Sequence, residues 1–317
     1  LLSVQAACDV SPQQVIQSPI GLYCLRLSPN GRFLLTSGLD KTIRLYDLST
    51  QTIAQTYRSE HNKGEIYTVG VPPKWHLVLC GSYGETIELW ETSSGKNLGY
   101  IKDESIQFSS ATSLSVLEFT PDGLTFFTAV REHFGMIDMQ AIHIWDIRTG
   151  KLLGAFEGHT HSVYSLVVTP DGRLAISSGW TNRGENIKVW EIATKRCVRM
   201  LQGQAGQVYC LAVSPDGNYL LSGNENGSIG YWDLRAWQLI RNFSGHNATV
   251  QSVAFDPNGE YALSGGEDRT VRFWDLNSGK CLRTLTDHTN TVHAVLFTPD
   301  GSHIYSAGKD GAIRYYS

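Results

Sequence analysis

An aromatic residue recurs along this chain at Tyr46, Trp90, Trp145, Trp190, Trp232, Trp274 and Tyr316, at steps of 44, 55, 45, 42, 42 and 42 residues. The copy from Gly245 to Asp275 shows what repeats. Gly245-His246 opens it and Trp274-Asp275 closes it. Between them lie three apolar-alternating runs: Val250 to Phe255, Tyr261 to Ser264 and Thr270 to Trp274. Asp256-Pro257-Asn258-Gly259 and Gly265-Gly266-Glu267-Asp268 separate the runs. Turn residues between short β-branched and aromatic stretches predict antiparallel hairpins. A fourth run, Lys280 to Leu285, follows Asn277-Ser278-Gly279. Each copy predicts one four-stranded antiparallel sheet, which cannot bury both apolar faces alone and must stack on its neighbours.

Seven copies at this period, with the Gly-His and Trp-Asp marks, resemble the WD-repeat family of β-propellers. The resemblance covers residues 12–317 and implies an all-β, seven-bladed propeller of four-stranded antiparallel blades. Closing such a ring removes sheet edges that would otherwise aggregate. Gln13 to Gln17 stand where Leu282 to Thr286 stand before the last copy, as a fourth strand without its first three. Val292 to Phe297, His303 to Ser306 and Ile313 to Tyr316 are three strands lacking a fourth. In the family the N-terminal strand completes the last blade, so residues of about 12–18 are expected to close this ring. Residues 1–11 have no repeat counterpart and form a lead-in.

Net charge is only −4 and no lysine or arginine cluster is apparent, which disfavours nucleic-acid binding through a broad basic face and leaves room for a local basic patch. Cys8, Cys24, Cys80, Cys197, Cys210 and Cys281 contain no C-x-x-C pair, and most fall in predicted strands. They read as small buried hydrophobes in a reducing compartment, which places the chain in the cytoplasm. No apolar run is long enough to span a membrane. The start at Leu1 reads as a fragment or a processed form, one domain of a longer protein, with the propeller itself monomeric.

The copies differ in their connections. Blade two, Ile66 to Glu91, carries Pro72-Pro73-Lys74 where the other six carry a proline–Asn/Asp–Gly turn. Blade three has six extra residues before its first strand, since Lys96 to Leu114 is 18 residues against 12 from Lys280 to Val292. It has seven more between its second and third strands, since Thr128 to Trp145 is 17 against 10 from Ser264 to Trp274. Blade four has three extra in the same connection, Ser177 to Trp190 being 13.

His246, Ser264 and Asp268 in one copy have the composition of a hydrolase triad. The resemblance assigns them elsewhere, to a hydrogen-bonded chain with Trp274 that pairs buried polar groups. His288, Ser306, Asp310 and Tyr316 repeat the set, and Ser18, Thr36, Asp40 and Tyr46 approximate it. A catalytic triad has no need to be copied around a ring. Blades two and five depart, with Cys80 and Gly84, and with Gln204 and Asn226, so packing is expected to carry more there. His159 and His161 form H-x-H without a supporting carboxylate or cysteine, and no G-x-S-x-G, G-x-x-x-x-G-K or H-E-x-x-H is present. No catalytic residue, cofactor or metal is therefore assigned.

Function is then sought on the surface. The resemblance places the connections into strand one, and those between strands two and three, at one end of the ring, the top. The extra lengths at Lys102 to Thr112, Val130 to Asp138 and Trp180 to Gly184 all fall there. Loop growth on one side of a rigid scaffold is how binding sites are commonly elaborated. Positions flanking the start of strand one often contact partners in this family. Here they are Tyr23, Tyr67, Tyr164, Tyr209, Gln251 and His293. The residue before the turn aspartate adds Tyr83, Glu225, Glu267 and Lys309, and the long loops add Arg131, His133, Phe134 and Trp180. Tyrosine gives large contact area at low entropic cost. The expected function is a non-catalytic scaffold that binds a protein or peptide segment. The alternatives are an enzyme with a channel-centred site and a receptor for glycans or small ligands on the tyrosine-rich rim.

Overall fold

The computed structural model describes residues 12, 14–18, 20–59, 64–81, 86–101, 112–132, 140–180, 186–203 and 206–317. It is all β: seven four-stranded antiparallel sheets of the β-propeller type, each the product of one copy of the repeat. Six sheets take their strands in chain order. In the seventh the order is Gln14–Gln17, Ala312–Tyr316, Ile304–Gly308, Val292–Phe297, so the N-terminal strand completes the last blade. Its register sets Gln14 opposite Tyr315 and Gln17 opposite Ala312. Ser18 N then donates to Gly311 O at 2.8 Å.

The chain divides into two compact units, residues 33–203 and residues 1–32 with 204–317. In both, the third-strand tryptophan is fully buried against the blade before it. In the first unit Trp190 stacks on Phe156 with centroids 5.1 Å apart, and Trp90 lies beside Tyr57 at 6.1 Å. In the second, Trp274 meets Phe243 at 5.6 Å. In these three cases the aromatic partner lies on the fourth strand of the preceding blade, so one repeat supplies a ring that the next packs against, each such burial stabilising by about 1.5–3 kcal/mol. Gly227, at φ 81°, allows close approach within the second unit, since a Cβ there would stand 2.3 Å from the His246 carbonyl oxygen.

Three expectations need correction. Tyr67 precedes the first strand of blade two, which is only Thr68–Gly70. Pro72 and Pro73 cut that strand short because proline cannot donate to a ladder, and Trp75 closes the turn at φ 52° with its N–H on Pro72 O at 2.8 Å. The second strand of blade three, Thr125–Glu132, runs further than the repeat suggests. Val130 and Arg131 pair with Leu114 and Ser113, so they are strand and not loop. Finally, Cys24, Cys80 and Cys210 are buried but Cys197 and Cys281 are exposed. The exposed two lie opposite Trp190 and Trp274 on fourth strands, each the last strand of its sheet. Tyr83, Gly84, His133, Phe134 and Gln204 lie outside the described residues, as do most of the long loops.

Candidate interaction surface and the network beneath it

In blade six, Trp274 Nε1 donates to Ser264 Oγ at 2.8 Å, and Ser264 Oγ lies 2.6 Å from His246 Nε2. His246 Nδ1 lies 2.9 Å from both Asp268 carboxylate oxygens. Thr270 adds its N–H and Oγ–H to Oδ1 at 3.1 and 2.8 Å. One proton ordering uses every group: indole N–H to serine, serine O–H to Nε2, Nδ1–H to aspartate. Burial would raise the Asp268 carboxyl, but the His246 and Thr270 contacts overcome it and hold it below the usual carboxylate range. Blade seven repeats the geometry, with His288 to Ser306 at 2.8 Å and to Asp310 at 3.0 Å. There the Tyr316 hydroxyl donates to Asp287 at 3.2 Å.

Ser264 and Ser306 are 0% exposed, so neither hydroxyl is open to a substrate. The set ties strands together and cannot work as a hydrolase triad without opening the blade.

The tryptophan–hydroxyl bond is wider than the full set. Trp145 donates to Thr128, Trp190 to Ser177 and Trp232 to Ser222, at 2.8, 2.8 and 2.9 Å. Blade five therefore keeps this bond, while Asn226 Oδ1 accepts from Ser228 N and Oγ. Sequence reasoning missed a further member, the cation two residues before the aromatic. Arg44 pairs with Asp40, Arg272 Nη2 lies 3.9 Å from Asp268, and Arg314 Nη1 donates to Asp310 at 2.9 Å. The signal is the i, i+4 pairing in Asp40-Lys-Thr-Ile-Arg44, Asp268-Arg-Thr-Val-Arg272 and Asp310-Gly-Ala-Ile-Arg314.

Above this network the rim residues fall into equivalent pairs. Tyr164 sits at the register shift between Val163 and Ser165, and Tyr209 at that between Val208 and Cys210. Gln251 and His293 occupy the same place in blades six and seven. Each is the extra residue of a β-bulge, a device that re-aims a side chain out of the sheet's alternation, and each is half-buried. A residue of the following turn then bonds back to the approach to the same strand. Trp180 N donates to Ser162 O, Glu225 N to Gln207 O, Glu267 N to Thr249 O and Lys309 N to Thr291 O, at 3.0, 2.9, 2.9 and 2.8 Å.

In the unit of residues 33–203 this brings together Tyr164 and Trp180, and Trp180 stands edge-on to His161 at 4.3 Å. In the other unit it brings together Tyr209 with Glu225, Gln251 with Glu267, and His293 with Lys309. Gln251 Nε2 donates to Glu267 Oε1 at 3.0 Å, and Tyr23 packs on His293 with centroids 5.0 Å apart. The turn residue equivalent for Tyr67, Tyr83, lies outside the described residues.

His159 belongs to the network through Ser177, and His161 Nδ1 lies 2.9 Å from Thr160 Oγ1. Among the described residues no group of three His, Cys, Asp or Glu could hold a metal. One statement about charge needs amendment. Lys195, Arg196 and Arg199 gather on and beside one exposed strand, so the chain does carry a local basic cluster.

A family model described as "WD domain, G-beta repeat" matches residues 11–47, 150–191, 195–233, 237–275 and 279–317, more than half of the chain. Among curated relatives, "COMPASS component SWD3" of Saccharomyces cerevisiae is 28% identical over 51% of this chain and 47% of its own length. "WD repeat-containing protein VIP3" of Arabidopsis thaliana is 27% identical over 50% of each. "Transcription initiation factor TFIID subunit 5" of Caenorhabditis elegans is 27% identical over 49% of this chain and 22% of its own. The match thus spans half or less of each of these relatives.

Proposed function

Because the chain belongs to the WD-repeat family of β-propellers, we propose that it is a non-catalytic platform that binds a protein or peptide segment through the bulge-and-turn pairs. The observation that carries the reading is the repeated bulge. Among the described residues five successive blades carry this bulge, at Ser115 in blade three and at Tyr164, Tyr209, Gln251 and His293 in the next four. The last four are each set beside a turn residue, Trp180, Glu225, Glu267 or Lys309, so apolar, acidic and basic side chains follow one another along the rim. Two of the relatives are named as a subunit and a component of larger assemblies, which agrees with a scaffold role.

His133 and Phe134 are carried as candidate contact residues on the loop argument alone, Tyr83 on its place before the turn, and Arg131 as a strand residue close to the long connection. Cys197 and Cys281 are free and exposed, which suits the reducing conditions of a cytoplasmic setting. Among the described residues, no helix is long and apolar enough to cross a membrane.

The test is affinity capture from a native extract, with the captured partner then titrated against Tyr164→Ala and Tyr209→Ala. At a true hot spot each weakens binding by about 2 kcal/mol or more. Lys280→Ala, beside the turn between the third and fourth strands of blade six, serves as the control. A partner displaced only by the control defeats the assignment.

A further inference from the structure

We propose that the strand Arg196–Leu201, the fourth of blade four, is a docking edge for an extended partner segment that alternates apolar and acidic residues. This surface is separate from the bulge-and-turn pairs. The strand ends its sheet, so one hydrogen-bonding edge faces away from Ile187–Glu191. Five of its six residues are exposed. Val198 is 43% and Met200 46% exposed, and Leu153 on the neighbouring strand Leu152–His159 is 45% exposed. Lys195 joins the two strands by donating from Nζ to the Leu153 carbonyl.

Charge selects the occupant. Arg196 and Arg199 make this the one fourth strand with two arginines, and Lys195 and Lys151 flank it, all four exposed. Lys188 reaches the same place from below, its Nζ 3.4 Å from Met200 Sδ. Against them stand the exposed Glu157 and the half-buried Glu191, whose carboxylate already accepts from Thr194 Oγ1 at 2.6 Å.

A strand edge binds extended backbone by adding a strand, with affinity from main-chain hydrogen bonds and specificity from alternate side chains. Apolar side chains between cations ask for apolar side chains between carboxylates. Phosphate-rich partners would match the cations but leave Val198, Met200 and Leu153 without contacts. Cations on an edge also deter pairing between identical copies. That protection is compatible with docking, because like-charged edges repel each other and attract an acidic strand. The bulge at Val198 confines regular pairing to the strand's ends, so the docked segment is short.

The probe is a fluorescein-labelled peptide alternating valine and glutamate between Gly-Ser ends, titrated into the full chain by fluorescence anisotropy. Saturable binding is expected, with added amide-exchange protection confined to 196–201. Binding should fall at least tenfold in Arg196→Gln/Arg199→Gln, whose fold is checked by circular dichroism. It should fall likewise for the same peptide N-methylated at alternate residues, an arm that needs no protein variant. The proposal is overturned if the peptide fails to bind, if the N-methylated or valine–lysine peptide binds as well, or if the double variant binds unchanged. It is also overturned if phosphatidylserine vesicles or single-stranded DNA, and not the peptide, protect these amides.

Discussion

Trp274 Nε1 donates to Ser264 Oγ at 2.8 Å while the same oxygen lies 2.6 Å from His246 Nε2, so one buried hydroxyl joins the third strand to the connection before the first. Ser264→Ala leaves an indole N–H and an imidazole nitrogen without that partner, at a cost of roughly 1–3 kcal/mol for each stranded group. His246→Ala and Asp268→Ala should each cost a similar amount. Their double variant should cost less than the sum, because both residues serve one network. Urea unfolding of the four variants measures this. Additive losses, or unchanged stability in Ser264→Ala, would contradict the network.

His159 gives the fold a pH dependence. Burial first, and then the nearby Lys188 charge, lower its pKa to about 3, against about 6.5 when unfolded. Between these values the unfolded chain binds the extra proton. Stability from this group is therefore full above about pH 6.5 and falls as pH drops toward 3, by roughly 2 kcal/mol at pH 5. Asp268 and Asp310 are held low instead, so their contribution persists above about pH 4 and is lost only in stronger acid. Melting followed from pH 7.5 to 5 should show a decline that His159→Gln flattens. The same slope in that variant would show that another group is responsible.

Closure rests on four residues. Gln14–Gln17 cover Ala312–Tyr316, and Gln17 Nε2 donates to Asp310 O at 3.1 Å. Deleting residues 1–18 should expose that edge and promote association, seen as a lower melting temperature and a larger species in size-exclusion chromatography. Deleting residues 1–10 should change neither. A monomeric 1–18 deletion with unchanged melting would argue that the strand is dispensable.

The blade count was legible because a buried aromatic is costly to replace, so Tyr46, the five tryptophans from Trp90 to Trp274, and Tyr316 mark every turn of the repeat. His246, Ser264 and Asp268 were legible as a set for a related reason: buried polar groups need partners at fixed positions. The bulges at Tyr164 and Tyr209 were not. Alternation in sequence fixes which face a residue takes only while pairing stays in register, and a bulge breaks the register at the very residues of interest. The exposure of Cys197 and Cys281 was hidden because an apolar residue in a strand says nothing about whether its sheet face is covered.

The last prediction concerns how closely blades six and seven approach. A Cβ on Gly265 would lie 2.6 Å from Val292 Cγ1 and 2.9 Å from Val295 Cγ1. Gly265 has ordinary strand conformation, so its absent side chain is a matter of space and not of backbone freedom. Val292 is fully buried and Val295 nearly so, which leaves the valine methyl groups little room to move away. Gly265→Ala should therefore destabilise by about 1–3 kcal/mol through overpacking. Val292→Ala alone should also destabilise, by leaving a cavity. Combined, the two exchange a methyl-sized volume across one interface, and the double variant should be more stable than the sum of the single losses predicts. Chemical denaturation of the three variants decides it. Simple additivity would mean that the blades relax apart around Gly265 instead of meeting at these atoms.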